Sequence, residues 1–278
     1  MDGGLPPKSF VAGAFRPERD RHVGRFHGLA FRTLLLRELK RLLKMAAMLV
    51  VAPALMAMLY FAVFAIGLGE NRGSDAGDAV LDFLVPGLVM LSILLRGSEN
   101  PSFSLLYSKL EGLLVDQLMA PLGARETVPA YALAGTLAGL VSGAAVWAGS
   151  ALLWPVPVQN WGMTLGFGLA GALMMALAGM LIGLASEKWD HLSAISTFVV
   201  IPLTFLSGAF APVHTMPEAL RLLVQANPIF YAIDGFRAGW LGQGYQDPAI
   251  SAAVLAATIV GAAVLVSVLF ARGWRLKA

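Results

Sequence analysis

Cysteine is absent from the 278 residues, which excludes disulfides and thiolate metal sites and leaves the redox compartment unread. Histidine is scarce: His22, His27, His191 and His214 are the four, and no two stand three or four apart, the spacing by which a helix presents paired metal ligands. Charge is thin too. Asp, Glu, Lys and Arg make up 13% of the chain, about half the share of a soluble domain. No G-x-x-x-x-G-K-[ST] stretch is present to cradle nucleotide phosphates, and no nucleophile elbow. Lys and Arg cluster only beside apolar segments, so nucleic acid is not an expected partner. What the chain has is apolar residues, 58% of the total, with a mean hydropathy of +0.73. That composition reads as a polytopic membrane protein with no catalytic residue and no metal site to assign.

Residues 1–25, rich in Gly, Pro and Arg, read as a flexible tail without periodicity. From 26 to 44 the pattern turns helical: Phe31, Leu35, Leu39, Leu42 and Leu43 fall on one arc, and Arg37, Lys40, Arg41 and Lys44 on the other. A basic amphipathic helix ahead of an apolar run is expected to lie in the headgroup plane, or else to be the start of a tilted span. The first 44 residues hold ten Lys or Arg and no uninterrupted apolar stretch, so the first apolar run reads as a retained span rather than a signal. Six apolar runs follow at 45–69, 83–105, 127–153, 161–185, 192–211 and 249–271, each near the roughly 20 residues that a crossing requires. The third and fourth are dense in Gly, Ala and Ser, which lets helix backbones approach closely in lipid.

Charge placement orients the chain. Of the 20 Lys and Arg, 17 lie in the N-terminal segment, the C-terminus, the loops on that same side or the second run. The stretch 70–82 between the first two runs instead carries four acids and one Arg. Both termini are therefore expected on the cytoplasmic side.

The second run contains LLRGSENPSF. Arg96 and Glu99 are three apart on one helix face, with Ser98, Asn100, Ser102 and Ser104 extending the polar stripe. An ionised residue at membrane depth marks a pathway or a pair, and the residues fit an ion pair fixing this helix as well as a water-filled substrate path. Between the second and third runs, Leu110, Leu113, Leu114 and Leu118 share a helical face that Pro121–Gly123 ends. Such a helix is either a connector lying on the membrane or a docking element for a partner.

The stretch 206–241 is too polar and Pro-rich to span and too apolar to be an ordinary loop. Pro212, Pro217 and Pro228 divide it, leaving short helices over 217–225 and 229–239, with Asn227 as the expected N-cap of the second. Asp234 and Arg237 can pair on one face. Charge placement puts this stretch outside the cytoplasm.

The pattern as a whole resembles the ABC-2 type permeases, the membrane subunits of a class of ABC exporters. It does so in FRTLLLRELKR before the first run, FLVPGLVM opening the second, LEGLLVDQLMAPLGARE after it, and FLSGAFAPVHTMPEALRLLVQANPIFYAIDGFRAGWLG, the most specific with its P-I-F-Y and G-F-R elements. The likeness runs from Gly28 to the C-terminus. It implies an all-α integral membrane protein of six transmembrane helices within 45–278, preceded by the amphipathic interface helix 26–44 and carrying a re-entrant helical hairpin, 217–239, before the last span. It further implies a homodimer joined by two copies of a separate ABC ATPase, which binds the ATP and Mg, this chain binding no cofactor itself. The segment 110–120 would be the coupling helix, with Leu110, Glu111, Leu114, Asp116, Gln117 and Pro121 as the candidate contacts. Pro217, Asn227, Pro228, Phe230, Asp234 and Arg237 carry the hairpin signature, while Arg96, Glu99, Ser98 and Asn100 are the substrate-path candidates. The site of action would be the bacterial inner membrane. Two rival readings are a stand-alone carrier or channel, which would transport without ATP, and an integral membrane lipid-modifying enzyme, for which His214, Glu218 and Asp234 are the nearest polar groups.

Overall fold

Ser74 opens the longest helix, its hydroxyl accepting from Gly77 N at 3.2 Å, while Asp75 and Asp78 in the first turn suit the positive end of the helix dipole. The acids expected in a loop therefore begin a helix, and the second apolar run is longer than hydropathy alone suggests. In the computed structural model, which describes residues 27–67, 74–113, 123–210 and 213–274, the elements are α1 (Gly28–Lys44), α2 (Ala46–Gly67), α3 (Asp75–Leu110), α4 (Ala124–Leu153), α5 (Trp161–Ala185), α6 (Trp189–Ile195), α7 (Ile201–Phe205), α8 (Glu218–Ala226), α9 (Pro228–Leu241) and α10 (Pro248–Ala271). The described residues contain no strand. Five of these helices, α2, α3, α4, α5 and α10, are long and apolar enough to cross a membrane.

The α3 helix is the axis of the bundle, gripped by α4 and α5 through glycine. A Cβ on Gly139 of α4 would stand 2.6 Å from Ile93 O, and one on Gly179 of α5 would stand 2.1 Å from Ser98 O. No side chain fits in either place, so the small-residue stripes of α4 and α5 serve backbone contact with α3. Pro101, inside α3, frees the Gly97 carbonyl from its helical bond, at the point where Gly135 of α4 comes closest.

The run expected as one helix over 192–211 is interrupted. A five-residue π-helical turn, Ser196–Val200, separates α6 from α7, and the helix ends at Phe205. Pro202 cannot donate to Phe198 O, and two residues on the Thr204 hydroxyl donates to Val200 O. From Trp189 to Phe205 the helical rise is about 25 Å, a little under the thickness of a hydrocarbon core.

Beyond that break, Asn227 caps α9, accepting from Ile229 N at 3.0 Å, and its amide donates to Leu203 O at 2.7 Å. Pro228 occupies the first helical turn and Gly242, at φ 76°, closes the helix in the left-handed conformation. The helix is buried along nearly its whole length. The extended segment 154–160 straps its far end: Gln159 N and Asn160 N donate to Trp240 O and Gly239 O at 3.0 and 2.9 Å, and the Trp240 indole donates to Val156 O. By contrast α8 leaves Leu222 and Leu223 exposed and buries Val224.

Candidate substrate cavity

On α1 the single acid is the organising residue. Glu38 is 1% exposed, and its two carboxylate oxygens are divided between partners. Arg37 donates to Oε1 at 2.9 Å, whereas Oε2 receives Ser104 Oγ of α3 at 2.7 Å and the Arg41 guanidinium at 3.1 Å. Arg37 also donates to the Tyr131 hydroxyl of α4 at 2.9 Å, and Arg41 bonds Ser104 Oγ directly. A lone buried carboxylate would be costly; two guanidinium groups and a hydroxyl offset that cost. This corrects the reading of the basic arc. Lys40 and Lys44 are exposed and Arg37 stays exposed while bonding Glu38 and Tyr131, but Arg41 turns inward through Glu38, and Leu43, assigned to the apolar arc, is 75% exposed. The buried face of α1 is Leu34, Glu38 and Leu42.

Arg41 lies at the edge of a cavity of about 540 Å³ formed between α1, α2, α3 and α6. Arg96, Glu99, Asn100, Ser102, Phe103 and Tyr107 of α3 line it, with Met45, Met48 and Leu49 as an apolar wall and Ser193 and Ser196 at the π turn. Arg96 and Glu99 are an ion pair at 2.6 Å. Arg41 reaches Asn100 O at 3.4 Å, while Asn100 Oδ1 is buried without a hydrogen-bond partner. Three of the four substrate-path candidates, Arg96, Glu99 and Asn100, thus share one cavity. The fourth, Ser98, does not line it: it is 3% exposed and its backbone is packed against Gly179 of α5. Helix phase explains the split, because two residues from Arg96 the chain has turned to the face that α5 covers.

About 21 Å along α3 from Arg96, Asp82 and Phe83 contribute to a second cavity of about 700 Å³ whose other walls include Gln159, His214, Asp234, Arg237 and Tyr245. Here the expected Asp234–Arg237 pair is not made. Asp234 accepts from Tyr245 N and Gln246 N at 2.7 and 2.9 Å. Arg237 donates to Gly208 O and Ala209 O and lies 3.6 Å from the centre of the Phe83 ring. Each residue serves a distant backbone rather than its neighbour three positions away. Phe230 is buried against Val213 and Val224.

A family model described as ABC-2 type transporter matches residues 29–241. The chain belongs to the ABC-2 type transporter family. Over 214 residues this ABC-2 chain is 31% identical to the inner membrane transport permease YadH of Escherichia coli strain K12, covering 77% of the chain and 84% of that relative. Over 220 residues it is 27% identical to nodulation protein J of Rhizobium leguminosarum bv. viciae, covering 73% and 79%. The match takes in the whole lining of the cavity beside α3 and ends at Leu241, the last residue of α9, short of Tyr245 in the second cavity.

Among the coupling candidates, Leu114, Asp116, Gln117 and Pro121 lie outside the described residues. Leu110 and Glu111 do not open a separate helix: Leu110 is the last residue of α3, Glu111 its C-cap, and Gly112 at φ 70° breaks the helix. The expected helix over 110–120 therefore starts no earlier than Leu113, because only glycine takes that conformation without strain. Sequence reasoning missed Glu38, Tyr131 and Lys109. Lys109, 5% exposed, donates to Leu184 O and to Ser186 O (3.1 Å) at the carbonyl end of α5. For Glu38 a signal existed, as the only acid in an otherwise basic helix.

Proposed function

We propose that the protein is the membrane-spanning permease subunit of an ATP-driven exporter that moves an amphipathic or lipid-linked substrate out of the cytoplasm. The observation carrying this reading is the cavity beside α3, where Arg41, Arg96 and Glu99 meet a wall of Met45, Met48, Leu49 and Phe103. A molecule with a polar head and an apolar body matches that lining, and the ABC-2 family is one of membrane transport.

In this reading the run from Trp189 to Phe205 makes a sixth crossing beside the five long helices. Both termini are cytoplasmic, as the charge distribution favours. The α8–α9 pair is the re-entrant hairpin at the exit: α9 is enclosed by protein, and the exposed Leu222 and Leu223 of α8 suit contact with lipid. Two copies of the chain form the transporter, and two copies of a separate ATPase, holding ATP and Mg, dock on the segment after Gly112. The buried Lys109 supports this route, since it ties the end of α3 to the end of α5; a push delivered beyond Gly112 would move both helices as one body.

Copurification of the chain with a Walker-motif ATPase tests the assembly. In proteoliposomes the pair is expected to export only with ATP, whereas transport by this chain alone without ATP would establish the stand-alone carrier instead. Charge reversal at Asp116 or Glu111 is expected to lower export and substrate-stimulated ATPase together; wild-type values for both in both variants would remove the docking assignment.

A further inference from the structure

Trp154, the residue that ends α4, donates its indole N–H to Asp82 Oδ1 of α3 at 2.7 Å. That bond orients the carboxylate but gives it no counter-ion. Among the described residues no cation pairs with Asp82, and its Oδ2 receives no donor. Asp82 lines the second cavity, of about 700 Å³, a volume that suits a small organic molecule. The other ionised groups of that lining are already committed. Asp234 gives both oxygens to Tyr245 N and Gln246 N and is near enough to Arg237 to favour its charge. Arg237 donates through both Nη atoms to Gly208 O and Ala209 O, covers the Phe83 ring, and has its Nε buried. Asp82 is thus the acid with an oxygen to offer. In the loop after α9, Tyr245 is 39% exposed and meets the buried Phe230 edge to face at 6.0 Å, and the bond from its backbone to Asp234 holds it at the cavity wall. A carboxylate and the electron-rich face of a tyrosine attract the same kind of group, a cation.

We propose that this second cavity is a binding site for an organic cation, a protonated amine carried on an apolar body. Asp82 is its counter-ion, Tyr245 its aromatic wall, and Trp154 the residue that positions Asp82. The two cavities share no lining residue, so the site does not rest on the substrate path proposed beside α3. The ammonium can belong to a free amine or to the headgroup of an aminolipid, since both present the same donor.

The test titrates the full chain in dodecyl maltoside at pH 7, without ATP, with three probes on one body: phenylbutylamine (cation), phenylbutanol (neutral) and phenylbutyrate (anion). Isothermal calorimetry on wild type is expected to show the amine bound about tenfold more tightly than the alcohol, the scale of one charge-assisted hydrogen bond. Equal binding of amine and alcohol, or tighter binding of the butyrate, overturns the proposal. Asp82→Asn keeps the size of the side chain and an acceptor for Trp154. It is expected to erase the preference with alcohol binding unchanged, and a preference that survives overturns the assignment. Trp154→Phe, which removes one hydrogen bond and no charge, is expected to reduce the preference about threefold. It decides the matter if Asp82→Asn does not fold, no change then overturning the proposal. If Glu99→Gln removes the preference and Asp82→Asn does not, the amine sits in the cavity beside α3 and the proposal falls. Added phosphatidylethanolamine separates the two sources. Loss of amine binding with it but not with phosphatidylglycerol supports the site and identifies a lipid headgroup as its ligand; undiminished binding supports the site and identifies a free amine. Equal loss with both lipids overturns the selectivity for ammonium.

Discussion

At Arg237 a whole positive charge is enclosed by protein, 8% exposed, with no salt bridge to a described carboxylate. Two backbone carbonyls and the face of Phe83 take the place of a counter-ion. Burial pushes the guanidinium down to about 10, with Asp234 pulling in the opposite direction, so the charge persists at neutral pH. Because this folded value lies below that of the free side chain, the unfolded chain holds the proton longer, and the penalty fades as pH rises above about 10. Lysine in the same place starts lower, near 10.4, and cannot fork to two carbonyls. Arg237→Lys is expected to cost ~1–3 kcal/mol at pH 7 and to lose less as pH is raised toward 9, read as melting temperature in detergent; a deficit independent of pH would show that burial of the charge is not its cause. The i, i+3 spacing of Asp234 and Arg237 was legible in the sequence. Their partners were not, because Gly208, Ala209, Tyr245 and Gln246 reach them only through the loops on either side of the hairpin. Asn227–Pro228 was legible in full, since capping is decided by residues one or two positions apart.

Among the elements, α3 and its two glycine-lined neighbours carry the bundle. A Cβ on Gly179 would collide with Ser98 O, while one on Gly261 of α10 meets nothing within 4 Å. Gly179→Val is expected to destabilise by ~1–3 kcal/mol or more, because the obstacle is backbone that cannot turn aside. Gly261→Ala is expected to be neutral or to stabilise by ~0.5–1 kcal/mol, by removing glycine from a helix interior. Thermal unfolding of the two purified variants checks both, and equal behaviour would contradict the packing described. That the stripes were small was readable; which backbone each glycine meets was not. The α1 helix shows the same boundary. Periodicity located it and placed Arg37 on the exposed arc where it lies, yet put Arg41 there too, because a wheel cannot see that Ser104 is close enough to help turn Arg41 inward. The run 192–211 shows a different one: hydropathy sums over residues and is blind to the missing N–H of Pro202.

For the molecule as a whole, the absence of cysteine makes topology directly measurable, since any introduced cysteine is the only one present. Ser74→Cys, at the start of α3, is expected to react with an impermeant maleimide on intact cells, whereas Gly273→Cys, after α10, is expected to react only once the membrane is opened. The opposite result would invert the proposed orientation. Class, helical content and the membrane setting were determined by the sequence alone, because burial in lipid is a property of composition over some twenty residues and needs no knowledge of neighbours. The family was likewise legible, in motifs of contiguous residues. Only the tertiary structure decided that Arg41 joins Arg96 and Glu99 in one cavity, that Glu38 stands behind it, and that Ser98 is turned away against α5. Each of those depends on which face of one helix meets which face of another, and contacts between residues some sixty positions apart leave no local pattern to read.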